Sequence, residues 1–224
     1  MIWGVLQFPG SCDERDALHA CEVAHGEARL IWHEDRDLGG VDAVVVPGGF
    51  SYGDYLRAGA IARFSPAMEA VAEFAAAGGP VLGICNGFQV LCEAGLLPGA
   101  LLRNAELRFV CRQVELVEGS SDASMGPEAH RGITRLSIPA KHGEGRYYAP
   151  ERVLDELEAN GRVAYRYASE HNFNGSARDI AGVRNEAGNV VGLMPHPEHA
   201  VDPLTGSTDG LAVFEAVAAA GART

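Results

Sequence analysis

Apolar residues fall along this chain in two alternating rhythms: short continuous runs, then stretches with helical spacing. Ile2 to Phe8 is nearly all apolar and stops at Pro9-Gly10-Ser11, which predicts a buried strand and a turn. From Asp13 to His25 the apolar positions 17, 18, 21 and 24 mark one face of a helix. Asp13, Glu14 and Asp16 put negative charge at the positive end of that helix. Arg29 to His33 predicts a second strand. Asp42 to Val46 predicts a third, and its run of valines suits a strand covered on both faces. Ser65-Pro66 opens another helix, with a capping residue followed by Pro at the first position, and Gly78-Gly79 closes it. Val81 to Ile84 then reads as a strand and Phe88 to Ala94 as a helix. This alternation argues for a parallel sheet with helices on both faces.

Beyond it the rhythm changes. Leu107 to Val117, Ile133 to Ile138 and Val163 to Tyr167 are strand-like. Ile180 to Met194 holds two apolar runs around Asn185-Glu186-Ala187-Gly188-Asn189, a hairpin signal. Gly210 to Ala220 predicts a closing Ala-rich helix. The expected fold class is therefore α/β, with an open, mostly parallel central sheet, helices on both faces and some antiparallel strands in the second half. No repeat, linker or low-complexity tract divides the chain, so residues 1–224 are expected to form a single domain.

Charge and composition narrow the function. The 18 Lys and Arg against 30 Asp and Glu leave a net charge of −12. That balance disfavours binding to a nucleic-acid backbone or to an anionic membrane surface. Phe74 to Cys92 carries no charge over 19 residues, the length of a membrane span. Gly78-Gly79-Pro80, Gly83 and Gly87 interrupt it, and Pro inside a helix costs about 3 kcal/mol, so a helix end, a strand and a new helix explain it better. The first residues lack the basic stretch of a secretion signal, and a cytoplasmic protein is expected. The five Cys, at 12, 21, 85, 92 and 111, form no Cys-x-x-Cys pair, which speaks against a disulfide framework or a Cys-based zinc site; no metal is expected.

The 28 Gly matter by position. Gly83-Ile84-Cys85-Asn86-Gly87 puts a thiol on a sharp turn between a predicted strand and a predicted helix, with glycines two residues either side to relieve crowding. Such a turn lifts the thiol above the sheet edge, where a helix N-terminus favours thiolate and its N–H groups can stabilise an oxyanion. A thiol nucleophile needs a base. Of the eight His (19, 25, 33, 130, 142, 171, 196 and 199), His196 alone sits in a pattern with its own acid, Met194-Pro195-His196-Pro197-Glu198. The flanking prolines predict extended backbone, where residues i and i+2 share a face, so Glu198 could orient His196 as the third member of a triad. Pro47-Gly48-Gly49-Phe50, after the valine strand, predicts a loop at the carboxyl edge of the sheet, where ligands of open α/β sheets bind. No Gly-Lys-Ser/Thr follows, so it is not a phosphate loop. The residues alone define a cysteine-dependent hydrolase of an amide or similar acyl group.

Pro47-Gly48-Gly49, Gly-Ile-Cys-Asn-Gly-Phe-Gln from 83 to 89 and His196-Pro-Glu198 together resemble the three motifs of the class I (triad) glutamine amidotransferases, whose fold is flavodoxin-like. The string Gly-Gly-Phe-Ser-Tyr-Gly-Asp-Tyr-Leu-Arg-Ala-Gly from 48 to 59, His142-Gly-Glu-Gly145 and Asn174-Gly-Ser176 narrow the resemblance to the glutaminase subunits of phosphoribosylformylglycinamidine synthases. It covers nearly the whole chain. It implies that Cys85 attacks the side-chain amide of L-glutamine, that His196 acts as base and then acid, and that Glu198 orients His196. It implies an oxyanion hole from N–H groups near Gly49 and of Asn86, and a substrate site touching Gly49, Phe50, Asn86, Gln89 and His142. Ammonia would pass to a larger synthetase subunit that carries the ATP and Mg chemistry of purine biosynthesis, joined in many bacteria by a small third subunit. No cofactor is expected on this subunit. Two departures from the family pattern, His199 where Arg is usual and Phe173 where Pro is common, are expected at a partner interface. Two rivals remain: another cysteine hydrolase of similar fold, of the protease-like and DJ-1-like kind, and a catalytically idle regulatory protein. In the first rival His commonly follows the nucleophile, whereas here it is Asn86.

Overall fold

The computed structural model describes residues 1–119, 135–168 and 170–221. Strand and helix alternate in its first part as the pattern predicts. Strand β1 (Ile2–Gln7) leads to helix α1 (Glu14–Val23), then β2 (Glu27–Trp32), β3 (Ala43–Val46), α2 (Pro66–Ala76), β4 (Val81–Ile84) and α3 (Asn86–Glu93). β3 and β4 are buried at every residue, as strands covered by helices on both faces must be. The uncharged stretch 74–92 is shared among the end of α2, β4 and most of α3, and no helix among the described residues is long and apolar enough to cross a membrane.

The second part holds β5 (Ala100–Leu102), β6 (Val110–Glu118), β7 (Leu136–His142), β8 (Arg146–Tyr148), α4 (Glu151–Ala159), β9 (Val163–Tyr167), β10 (Ile180–Arg184), β11 (Val190–Leu193) and α5 (Leu211–Gly221). The strand expected from Leu107 starts instead at Val110, because Leu107 closes a turn with φ 56°. The strand expected over 133–138 begins at Leu136 and runs on to His142; residues 133 and 134 lie outside the described residues. Helix α4 is an addition to the predicted elements, with Leu154 and Leu157 burying one face of it. The three-residue pair β5–β8 is likewise new.

Nine strands form one sheet in the order β2-β1-β3-β4-β11-β10-β9-β6-β7. The first five are parallel, and from β11 onward each strand is antiparallel to the next. The parallel half has the 2-1-3-4-5 order of flavodoxin-like sheets, whose ligands bind beyond the carboxyl ends of the strands. The β10–β11 hairpin turns at 185–189 and lays β11 alongside β4, with Leu193 opposite Ile84. The Cys85 N–H donates to the Leu193 carbonyl at 2.9 Å, so the register of one strand pair brings the segment after β11 beside the segment after β4. At the far end of the order, β7 carries Pro139, tolerated because an edge strand has one side free of ladder bonds. The Pro139 carbonyl accepts the His196 N–H at 2.8 Å, so this edge strand returns to the carboxyl end of β11. Trp3, Leu6, Phe88, Leu91, Leu116, Ile138 and Phe214 anchor the core.

Candidate active site

Cys85 stands between β4 and α3 with φ 49° and ψ −104°, a conformation that L-residues rarely adopt and that costs on the order of 1–3 kcal/mol. Packing imposes it. A side chain at Gly87 would collide with the Val46 carbonyl of the neighbouring strand, so only glycine lets the first turn of α3 sit so close to β3. The strain is repaid by position: the thiol heads a helix and lines a cleft of about 320 Å³. Its sulfur lies 3.9 Å from the Lys141 carbonyl.

His196 and Glu198 follow β11. The extended backbone expected there is a short 3₁₀ turn, Pro197–His199, with Pro at its start where a missing N–H is harmless. The turn achieves the same juxtaposition by another route: His196 Nδ1 is 2.6 Å from Glu198 Oε1 and both side chains are buried. His196 Nε2 is also buried, without a formed hydrogen bond among the described residues. Burial pushes the ring toward neutrality; the Glu198 carboxylate outweighs this and the Cys85 sulfur adds to it, so His196 is pushed up to about 10. The raised ring holds its proton beside the Cys85 sulfur.

The glycine loop after β3 completes this edge. Gly49, with φ 140°, fits against the 10–12 backbone, where a Cβ would meet the Cys12 nitrogen at 2.6 Å. The Phe50 N–H is committed to the Gly10 carbonyl at 2.8 Å, so the neighbouring Gly49 N–H is a candidate oxyanion donor. Phe50 itself stands half exposed at the rim. Gly49, Phe50, Cys85, Gln89, His142 and His196 all line the cleft. The Asn86 side chain lies buried beneath it, accepting the Ser51 N–H at 3.1 Å and donating to Gln89 Oε1 at 3.0 Å. Gln89 in turn donates to the Glu144 carbonyl, tying α3 to the 143–145 loop. His142 Nδ1 faces Asn104 Oδ1 at 3.0 Å, and burial, with His196 nearby, pushes its ring down to about 3, so it is neutral.

Four residues in or beside the site carry weak sequence signals or signals that point elsewhere. Asp13, which the sequence suggests as a helix-start charge, makes no cap; its buried carboxylate meets Lys141 Nζ at 2.6 Å and His199 Nε2 at 3.2 Å. Burial raises Asp13, but His199, His196 and Lys141 more than offset this and hold it well below the usual carboxylate range. Lys141 has only its neighbour in His142-Gly-Glu-Gly as a signal. His199 and Phe173, expected at a partner interface, both lie beside the site. His199 contacts Asp13, and Phe173 stacks on His142 with ring centroids 5.1 Å apart. Asp13, His196, Glu198 and His199 have the donor types of a metal site, with ligand atoms within 4.8 Å of one another. The Lys141 ammonium already supplies a cation to Asp13, which disfavours a second.

A strained cysteine turn, a glycine loop and a buried His–Glu pair thus meet at the carboxyl edge of a flavodoxin-like sheet. The chain belongs to the family of CobB/CobQ-like glutamine amidotransferase domains, whose model matches residues 3–210. Among its relatives, the phosphoribosylformylglycinamidine synthase subunit PurQ of Streptomyces avermitilis is 58% identical over 223 residues, covering 96% of this chain and 95% of that one. The protein of the same name from Mycobacterium tuberculosis is 60% identical over 216 residues, covering 94% and 93%. In the structure of PurLQS from Thermotoga maritima, one chain matches with a TM-score of 0.86 and 41% identity, over 97% of each chain. A putative GMP synthase subunit from Thermoplasma acidophilum, 13% identical, shares the fold with a TM-score of 0.68 over 100% of this chain and 95% of that one.

Proposed function

We propose that this chain is the glutaminase subunit of a phosphoribosylformylglycinamidine synthase. It hydrolyses L-glutamine to glutamate and ammonia and passes the ammonia to a synthetase subunit. That partner uses ATP and Mg²⁺ to convert formylglycinamide ribonucleotide to the amidine in purine biosynthesis. The relatives' shared name and the extent of their identity support the assignment. For the chemistry, the observation that carries it is the buried His196–Glu198 pair at 2.6 Å beside the thiol of Cys85.

The Cys85 thiolate attacks the side-chain amide carbon of glutamine. The oxygen becomes an oxyanion, met by the Gly49 and Asn86 N–H groups, and the positive end of α3 stabilises it further. His196 gives its proton to the departing ammonia, leaving a glutamyl thioester. The neutral ring then takes a proton from water as water attacks the thioester, and glutamate leaves with the thiolate restored. Glu198 holds the imidazole so that Nε2 faces the sulfur and stabilises the imidazolium between the two steps. Phe50, Gln89 and His142 shape the glutamine pocket. The complex contains the larger synthetase and a small third subunit, and the glutaminase works in the cytoplasm without a cofactor of its own.

Glutamate release from glutamine, measured with the synthetase partner present, tests this reading. Cys85→Ala removes glutamine-dependent product formation by at least about a thousandfold while ammonium still supports it. Glutamate release by the variant at the original rate would sink the mechanism. Loss of ammonium-dependent synthesis as well would point to a scaffolding role.

A further inference from the structure

His196 faces two carboxylates rather than one. Glu198 holds Nδ1 at 2.6 Å, and Asp13 Oδ2 lies 3.5 Å from the same nitrogen. Asp13 comes from a different part of the chain, the loop between β1 and α1, and its side chain is 6% exposed. The fold makes room for it: a Cβ on Gly48 would collide with Asp13 Oδ2 and lie 2.9 Å from His196 Cε1. The backbone also draws it in, since the Asp13 N–H donates to the Gly48 carbonyl at 3.3 Å. A buried carboxylate that neither caps its helix nor faces solvent needs charge partners, and here they are Lys141, His199 and the ring of His196.

We infer that Asp13 is a positioning residue for the proposed glutaminase reaction, a second carboxylate that holds the His196 imidazolium, with Lys141 as the counter-ion that limits its pull. The inference rests on the function proposed above. The groups around His196 are Glu198 and His199 from its own turn, Cys85 from the head of α3, Asp13 from the β1–α1 loop and His142 from β7, with Lys141 of β7 lining the same cleft and paired with Asp13. Among these groups, only Asp13 and Lys141 form a pair outside the triad and its turn, at 2.6 Å. Removing the acidic member weakens the imidazolium; removing the basic member strengthens it. His196 must be protonated to release ammonia, so the alkaline limb of the activity profile follows this balance.

The test is a pH titration of the His196 ring nitrogens by NMR in the full-length chain, paired with kcat/KM for glutamate release against pH in the complex. In Asp13→Asn the ring loses its proton at a pH lower by about one unit, kcat falls roughly tenfold, and KM stays within about twofold. Asp13→Glu restores part of the shift. Lys141→Met, which leaves Asp13 intact, moves the titration in the opposite direction and serves if Asp13→Asn does not fold. An unshifted His196 titration in whichever of these variants folds overturns the inference, as does a loss of kcat with an unchanged pH profile. Because the NMR titration needs no turnover, it separates this result from failure of the glutaminase reading, which the Cys85→Ala assay reports.

Discussion

The two halves of the sheet reach the same cleft by different routes. In the parallel half, β1, β3, β4 and β11 end at one edge, and the Asp13 loop, Gly49, Cys85 and His196 follow those ends directly. Each is delivered by a strand's direction. In the antiparallel half no such rule operates. Lys141 and His142 arrive because β7, last in the strand order, comes back beside the turn after β11, where its Pro139 carbonyl holds the His196 N–H. The comparison separates what builds the reacting group from what tunes it. Parallel strands carry Asp13, Gly49, Cys85 and His196 to the cleft, and the antiparallel strand contributes Lys141 and His142 as its wall.

The largest test of this division falls on the parallel side. Glu198→Gln keeps the shape of the His196 contact and removes its charge. Glutamate release is expected to fall roughly a thousandfold with KM little changed, by analogy with the loss of the acid from other triads. A loss under tenfold would mean that Asp13 alone suffices to hold the imidazolium and that tuning has been mistaken for building. Next in size, Gly87→Ala drives a methyl group into the Val46 carbonyl. The methyl meets backbone, so relief requires α3 to shift, and we expect about 2–4 kcal/mol of lost stability in urea unfolding together with loss of Cys85 reactivity. Retained reactivity in a destabilised protein would show that the turn, and not the close approach of β3, sets the thiol's position.

The smallest effect belongs to the antiparallel side. His142 is neutral in the folded chain, with its ring pushed down to about 3, against about 6.5 when unfolded. Between those values the unfolded state binds the extra proton, so stability falls as pH drops through this window and is fully present above it. Thermal unfolding from pH 7 to pH 4 is expected to show a shallower acid loss in His142→Asn than in the parent. Equal slopes would remove His142 from the list of groups that the wall holds neutral.

The same comparison explains what can be read from the sequence. Valine runs followed by glycine loops identify buried parallel strands and the edge where ligands bind, so Gly49, Cys85 and the His196–Glu198 pair are legible. The antiparallel register is not, because alternation in β6 and β7 fixes which face is buried but not which strand lies opposite. Asp13 looks like any acid opening a helix; only the return of β7 gives it Lys141 as a partner. The prolines around His196 point to extended backbone, yet Pro at the first position of a 3₁₀ turn is equally comfortable, and the turn prevails. Helix α4 carries a signal in Leu154 and Leu157 behind Pro150, but only these two of its nine residues are buried, and they speak more softly than the strands on either side.

The hydrogen bond from the Cys85 N–H to the Leu193 carbonyl has a consequence for how freely such a molecule can be rebuilt. The reach from sulfur to imidazole is measured out by the spacing of two adjacent strands, a length common to every β-sheet. It is a property of main chain, indifferent to which apolar side chains clothe β4 and β11. The hairpin at 185–189 that joins β10 to β11 lies at the opposite end of those strands. It could be lengthened, cut or chosen as a new pair of termini, and the catalytic ruler would keep its graduation.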